Sequence, residues 1–288
     1  MPVAPRELAK ERAFPDRCGV ARIGTSLGAI GVDETGSGDA IPLVFLHGVG
    51  SDKSAWAPQL AHFGQTRRAV ALDYPGYGES APATPSDAAP HDRFADAILA
   101  ALDALGIQRA HLCGLSLGGV VAIAIAHRAP DRLASLAIAD SFAVHPDGPA
   151  ILARSLATSA DMRALAEARV PALLAANADP TLTAELVKVM ASIPPDAFRL
   201  ACAAVWPADQ RGRAATIALP TLILCGTQDR VTPPALSEQL AALIPNSELL
   251  FIDGAGHLPN LEQPTNFNVA LDIFVARGDV ADPELPTA

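Results

Sequence analysis

The sequence predicts an α/β protein: a doubly wound, mostly parallel sheet interrupted by a helical insertion. Three observations predict it. Short apolar runs recur between helix-like segments, each run bounded by Gly, Pro or Asp. Continuous apolar runs of this length suit strands covered on both faces, as parallel sheets require. The third observation is a gap in the alternation, from about residue 146 to 218, where no strand-like run occurs.

In chain order, Leu43–His47, Ala69–Asp73, Ala110–Cys113 and Leu133–Ala139 read as strands. Ser51–Phe63, Arg93–Leu105 and Gly118–Arg128 read as the helices between and after them. The Arg93–Leu105 segment, RFADAILAALDAL, places its apolar residues at helical spacing. The gap is rich in Ala and Leu and is broken by Pro171, Pro180, Pro194, Pro195 and Pro207. Proline cannot continue a helix, so several short helices are expected there. Alternation resumes with Thr221–Cys225 as strand, Pro234–Leu243 as helix, Leu249–Ile252 as strand and Pro264–Ala276 as a closing helix. The expected organisation is therefore an N-terminal extension (1–18), a core formed by 19–145 and 219–277, a helical cap (146–218) and a C-terminal tail (278–288).

Composition excludes several function classes. The chain has 288 residues, half of them apolar, enough for a large core. Its 21 basic and 31 acidic residues give a net charge of −10, which argues against nucleic acid or an anionic membrane as partner. The first residues lack the apolar core of a signal peptide, and the longest apolar stretch, Leu115 to Ala126, is too short to span a bilayer. Cys18, Cys113, Cys202 and Cys225 show no CxxC or zinc-ligand spacing. Reduced thiols in a cytoplasmic protein, with no metal, are expected.

Gly114-Leu115-Ser116-Leu117-Gly118 matches G-x-S-x-G between a strand and a helix. That context demands a sharp, strained turn which lifts the serine hydroxyl above the sheet. The helix behind it favours negative charge at its N-terminus. A serine hydroxyl needs an adjacent base oriented by a third group. Asp229 follows the TLILC strand and His257 follows the FID strand, both at strand C-terminal ends, where open α/β sheets bind ligands. Their order after Ser116 is nucleophile, acid, histidine, as this motif requires. Asp140 also follows a strand and is the alternative acid. His62, His91 and His127 fall on helices and read as surface residues; His111 reads as a satisfied strand residue. An acyl-transfer oxyanion needs two converging N–H donors, assigned here to the backbones of Leu117 and Val49. His47 reads as a brace for the loop carrying Val49.

Five blocks, LVFLHGVG, ALDYPGYGES, CGLSLGG, PTLILCGTQDRVTPP and GAGHLPNLEQP, resemble those of the α/β-hydrolase superfamily in order, across about residues 20–276. SAWAPQL, CGLSLGGVVAIAIA and GTQDRVTPP are similar to oxoadipate enol-lactonases and related carboxylesterases. The resemblance implies an eight-stranded sheet with the cap inserted after strand six, and serine-dependent hydrolysis of a small ester or lactone without a cofactor. Those enol-lactonases carry Ser-Asn where this chain has His47-Gly48, so their substrate does not carry over. A serine at position 116 disfavours the dehalogenase and epoxide-hydrolase branches, which use aspartate there.

The expected activity is that of a carboxylesterase or lactonase working through an acyl-enzyme. The cap should roof an apolar pocket, with Trp206 and Phe198 as candidate contacts, although cap-to-core packing explains both equally well. Arg199, Arg211 and Arg213 suit either a substrate carboxylate or a solvated helix face. The same triad would also serve a peptidase, perhydrolase, acyltransferase or carbon–carbon bond hydrolase, and the fold alone would serve a ligand-binding receptor.

Overall fold

The computed structural model of the chain describes residues 21–84 and 86–280. The expected N-terminal extension (1–18), Cys18 and residues 281–288 of the expected tail lie outside the described residues. The chain opens with a hairpin, β1 (Ala21–Thr25) and β2 (Gly28–Thr35), paired antiparallel. Runs of apolar residues do not announce these strands: they are short and carry glycines, and Asp33 and Glu34 sit in β2. Six further strands fall on or near the apolar runs: β3 (Leu43–Leu46), β4 (Ala69–Leu72), β5 (Ala110–Leu115), β6 (Leu133–Ala139), β7 (Thr221–Gly226) and β8 (Ser247–Ile252).

The strands form one sheet in the order β1-β2-β4-β3-β5-β6-β7-β8. β2 runs antiparallel to β4, and every later neighbour is parallel. β3 to β7 are buried along their whole length, which is why they read as unbroken apolar runs rather than alternating ones. The chain adds β4 on one side of β3, then returns to add β5 on the other. Winding therefore reverses between β3 and β5, and ligands bind outside the strand C-termini at such a reversal.

Helices α1 (Ala57–Phe63), α2 (Pro90–Ala104) and α3 (Leu117–Arg128) follow β3, β4 and β5. The helix expected over Ser51–Phe63 is divided: Asp52 caps a 3-10 turn at Lys53–Trp56, accepting from the Ser54 N–H at 2.9 Å. Pro58 then enters the first turn of α1, where a missing N–H costs nothing. Five helices lie between β6 and β7: α4 (Gly148–Thr158), α5 (Met162–Leu173), α6 (Pro180–Ala191), α7 (Pro195–Val205) and α8 (Arg211–Ala214). Pro180 and Pro195 open helices, as their fixed φ favours; Pro171 instead sits inside the last turn of α5.

After β7 come α9 (Pro234–Leu243), the short α10 (Pro259–Glu262) beyond β8, and α11 (Pro264–Val280). α11 corrects the expected tail boundary, because residues 278–280 continue the helix. The Asp279 carboxylate accepts from Arg67 at 2.7 Å and lies 3.0 Å from His111 Nε2, so the last turn has tertiary partners. Helices α1 and α11 pack together, as do α2 and α3, and the two pairs flank the sheet. Among the described residues no helix is long and apolar enough to cross a membrane.

Candidate active site

Ser116 lies between the end of β5 and the first residue of α3, with φ 55° and ψ −112°. A positive φ on a non-glycine residue is strained, and such strain concentrates at functional sites. The neighbouring glycines make the turn possible. A Cβ on Gly114 would collide with the Gly118 backbone, and one on Gly118 with the Leu46 carbonyl of β3. The turn is pinned on both sides: Ser116 N–H donates to the Ala139 carbonyl at 2.9 Å, and the Ser141 hydroxyl donates to the Ser116 carbonyl at 2.7 Å.

His257 is buried in the loop after β8, and its N–H donates to the Leu173 carbonyl of α5 at 2.6 Å. Its Nδ1 lies 2.8 Å from Asp229 Oδ2. Asp229 is buried in the loop after β7. Its Oδ1 accepts from the N–H groups of Val231 (2.7 Å) and Thr232 (3.1 Å), and Oδ2 also accepts from the Thr232 hydroxyl (2.6 Å). Burial alone raises the pKa of Asp229. The His257 charge and the hydrogen bonds from His257, Thr232 and Val231 outweigh that and hold the carboxyl below its ordinary value. An ionised Asp229 fixes the proton on Nδ1 and leaves Nε2 as the basic nitrogen.

Ser116 and His257 line the same small chamber, of about 30 Å³, together with Gly48, Val49, Leu173 and Met190. Oγ of Ser116 makes no hydrogen bond to the imidazole in this conformation; in ligand-free enzymes such contacts are often long and tighten on the substrate. Val49 lines the chamber at the end of the β3 loop. Its carbonyl accepts from the Tyr77 hydroxyl at 2.9 Å. Leu117 does not line the chamber; its side chain is buried as the first residue of α3. Its N–H belongs to a first turn without intrahelical partners. His47 braces the same loop. The Tyr74 N–H donates to Nε2 at 3.3 Å, so Nδ1 carries the proton and donates to the Gly48 carbonyl at 2.8 Å. Burial pushes its pKa down, and a neutral ring fits both bonds.

Asp140, the alternative acid, directly follows β6 with φ 45° and is fully buried. Its Oδ1 accepts from the Gly226 N–H at 2.9 Å. Burial first, then the nearby Asp229 charge, push its carboxyl well above the ordinary value. Asp140, Cys225 and Asp229 each place a ligand-type atom within 4.8 Å of the others. The Cys225 thiol is pushed up to about 12, chiefly by burial and then by Asp140. The donor set is therefore a neutral acid, a thiol and a carboxylate already engaged with His257, a poor fit to a cation.

The candidate pocket residues divide. Trp206 lines a second, larger cavity of about 740 Å³ beside the chamber. Phe198 lines neither cavity; its fully buried ring packs inside, 5.9 Å from the Arg169 guanidinium carbon, so it is core rather than pocket wall. The three arginines considered for a carboxylate are committed elsewhere: Arg199 to Asp196, Arg211 to Asp209, and Arg213 with two bonds to Asp92. Two residues of the site escaped sequence reasoning. Glu262 accepts from the N–H groups of Gly256 (2.9 Å), Leu258 (3.3 Å) and Ala175 (2.7 Å), and so fastens the His257 loop to the chain after α5. Arg169 lines both cavities. Its signal was present: Met162, Leu165, Ala166, Val170 and Leu173 form the buried stripe of α5, and Arg169 falls among them at helical spacing.

Residues 43–270 match the model of the alpha/beta hydrolase family. 3-Oxoadipate enol-lactonase 1 of Acinetobacter baylyi is 31% identical over 250 residues, spanning 85% of this chain and 92% of that protein. A 2-hydroxymuconate semialdehyde hydrolase of a Pseudomonas species is 32% identical, over 85% of this chain and 90% of that protein. Among solved structures, the enol-lactonase of Burkholderia xenovorans superimposes with a TM-score of 0.83 at 27% identity, covering 89% of this chain and all of that one. Fold and relatives agree: the chain is a hydrolase and belongs to the alpha/beta hydrolase family.

Proposed function

We propose that the protein hydrolyses a small, largely apolar carboxylic ester or lactone through an acyl-enzyme on Ser116. One observation carries this reading: a strained serine lines the same chamber as an imidazole whose far nitrogen lies 2.8 Å from a buried aspartate. His257 Nε2 takes the Ser116 proton as Oγ attacks the substrate carbonyl. The backbone N–H groups of Val49 and Leu117 stabilise the oxyanion, a contribution of about 3–4 kcal/mol for each such donor. His257 then passes the proton to the leaving alkoxide. It next activates the water that releases the acid, while Asp229 balances the imidazolium. The helices of residues 146–218 act as a cap, since Leu173 and Met190 come from them and line the chamber.

Nitrophenyl butyrate hydrolysis, with Ser116→Ala as the control, tests the reaction. A fluorophosphonate probe mapped by mass spectrometry tests the nucleophile. Turnover that survives Ser116→Ala, or labelling at another residue, overturns the reading. A second reading, hydrolysis of a carbon–carbon bond, is favoured by the semialdehyde hydrolase relative. Product analysis on a vinylogous diketone alongside the esters separates the two.

A further inference from the structure

Among the described residues Arg169 is a cation without a paired anion. Its guanidinium carbon lies 5.7 Å from the Trp206 ring and 5.9 Å from the Phe198 ring. Among the described residues its one hydrogen bond, at 3.5 Å, is to the Ser155 hydroxyl. Among the described residues no carboxylate pairs with it. A guanidinium offers five N–H donors in a planar fork, and ring faces satisfy its charge only in part. Burial draws its pKa below the ordinary value, the direction expected of an enclosed cation. The other arginines of the larger cavity differ. Arg230 donates to the carbonyls of Pro171 and Leu174, and Arg154 is exposed. Asp147 and Asp161 also line that cavity; Asp161 caps α5 through the Ala164 N–H.

Location gives the cation its meaning. Arg169 and Leu173 are one helical turn apart on α5, and both line the Ser116 chamber and the 740 Å³ cavity. They form the partition between the two spaces. A substrate whose carbonyl sits at Ser116 and that is longer than the chamber would meet this partition. The geometry points to a substrate that carries a carboxylate: its carbonyl lies at Ser116 and its anionic end is held by the Arg169 guanidinium. This rests on the ester-hydrolase reading above and narrows it from apolar esters to half-esters or lactones bearing an acid. Arg suits the task because its fork matches a carboxylate in two parallel bonds.

The test compares monomethyl succinate, glutarate and adipate with their neutral primary-amide analogues, which keep shape and lose charge. Wild type should favour the acid of at least one chain length by about 10–100-fold in kcat/KM, the range for a hydrogen-bonded charge. Arg169→Gln should collapse that ratio toward one, and Arg169→Lys should retain part of it. A merely structural Arg169 would lower acid and amide alike, leaving the ratio intact, and that result overturns the proposal. A wild-type ratio near one at all three lengths overturns it too. The second arm does not need turnover. Calorimetric titration of Ser116→Ala with the same half-esters should show binding that weakens tenfold or more when Arg169→Gln is added. Equal binding of acid and amide by Ser116→Ala refutes the carboxylate site, whatever the fate of the nucleophile. Hydrolysis surviving in Ser116→Ala refutes the nucleophile and leaves this arm to judge Arg169.

Discussion

Asp140 and Asp229 are adjacent carboxyl groups with opposite charge states. Asp140 follows β6 and accepts from the Gly226 N–H, while Asp229 follows β7 and bonds His257. Burial keeps the first protonated, and the hydrogen bonds on the second keep it ionised. Two acids this close cannot both ionise cheaply.

The pair predicts unequal isosteric variants. Asp229→Asn removes the charge that orients the imidazole and should lower kcat about 10³–10⁴-fold, as for other triad acids. Asp140→Asn keeps an acceptor for Gly226 and a donor toward Asp229, so kcat should stay within about tenfold. Steady-state kinetics on one ester would decide it. The reverse ranking would make Asp140 the acid.

The same pair predicts opposite pH slopes of stability. Above the ordinary carboxyl value of 3.8, only the folded chain keeps the Asp140 proton. Its contribution is therefore complete at lower pH and is lost as pH rises through the raised folded value. Asp140→Asn lacks that loss, so its melting temperature should gain on wild type from about pH 4 to pH 8. Asp229 is lowered, so its contribution is present above 3.8 and lost as pH falls. The deficit of Asp229→Asn should shrink on acidification. Differential scanning fluorimetry across pH measures both, and parallel curves would contradict the assigned states.

Glu262 predicts an effect without substrate contact. It accepts three backbone N–H groups around the His257 loop, and Gln would turn an NH₂ toward one of them. Glu262→Gln should lower stability by about 1–3 kcal/mol. It should also cut kcat about tenfold with KM changed less, because a misplaced base costs rate more than binding. Urea unfolding together with kcat and KM at one pH tests this; a loss confined to KM would argue against a loop-positioning role.

Much of this was legible because it follows from covering. Strands β3 to β7 are buried on both faces and appear as apolar runs, while the β1–β2 hairpin is only partly covered and carries charge. That Ser116 and His257 line one chamber was legible because the proposed chemistry demands strand ends in a fixed chain order. The acid was not legible from position alone, since Asp140 and Asp229 both follow strands. What separates them is which carboxylate reaches the imidazole: Asp229 meets His257 across 28 positions, whereas Asp140 is tied to the Gly226 N–H, a choice that spacing does not encode. Phe198 stayed open between pocket and packing because a buried aromatic and a pocket aromatic look alike in sequence; its ring is buried. Arg169 could have been found, as the one charge on an otherwise apolar helix face.

Met190 sets the last prediction. It comes from α6, is buried, and lines the Ser116 chamber. A Cβ on Gly50 would strike its Cε methyl, so Met190 rests directly on the loop that carries Val49. A chamber of about 30 Å³ holds little beyond the reacting group. Met190→Ala removes the side chain that fills its edge, at a cost of about 2–5 kcal/mol for a buried Met truncation. The space gained should admit a longer acyl chain, since one methylene in an apolar pocket is worth about 1–3 kcal/mol. Across nitrophenyl esters from acetate to octanoate, the kcat/KM optimum should move at least two carbons longer. Activity should fall on the shortest ester, whose acyl group would no longer fill the site. An unchanged optimum in a folded variant would mean that the acyl chain leaves the chamber past Leu173 and Arg169, on the side of the larger cavity.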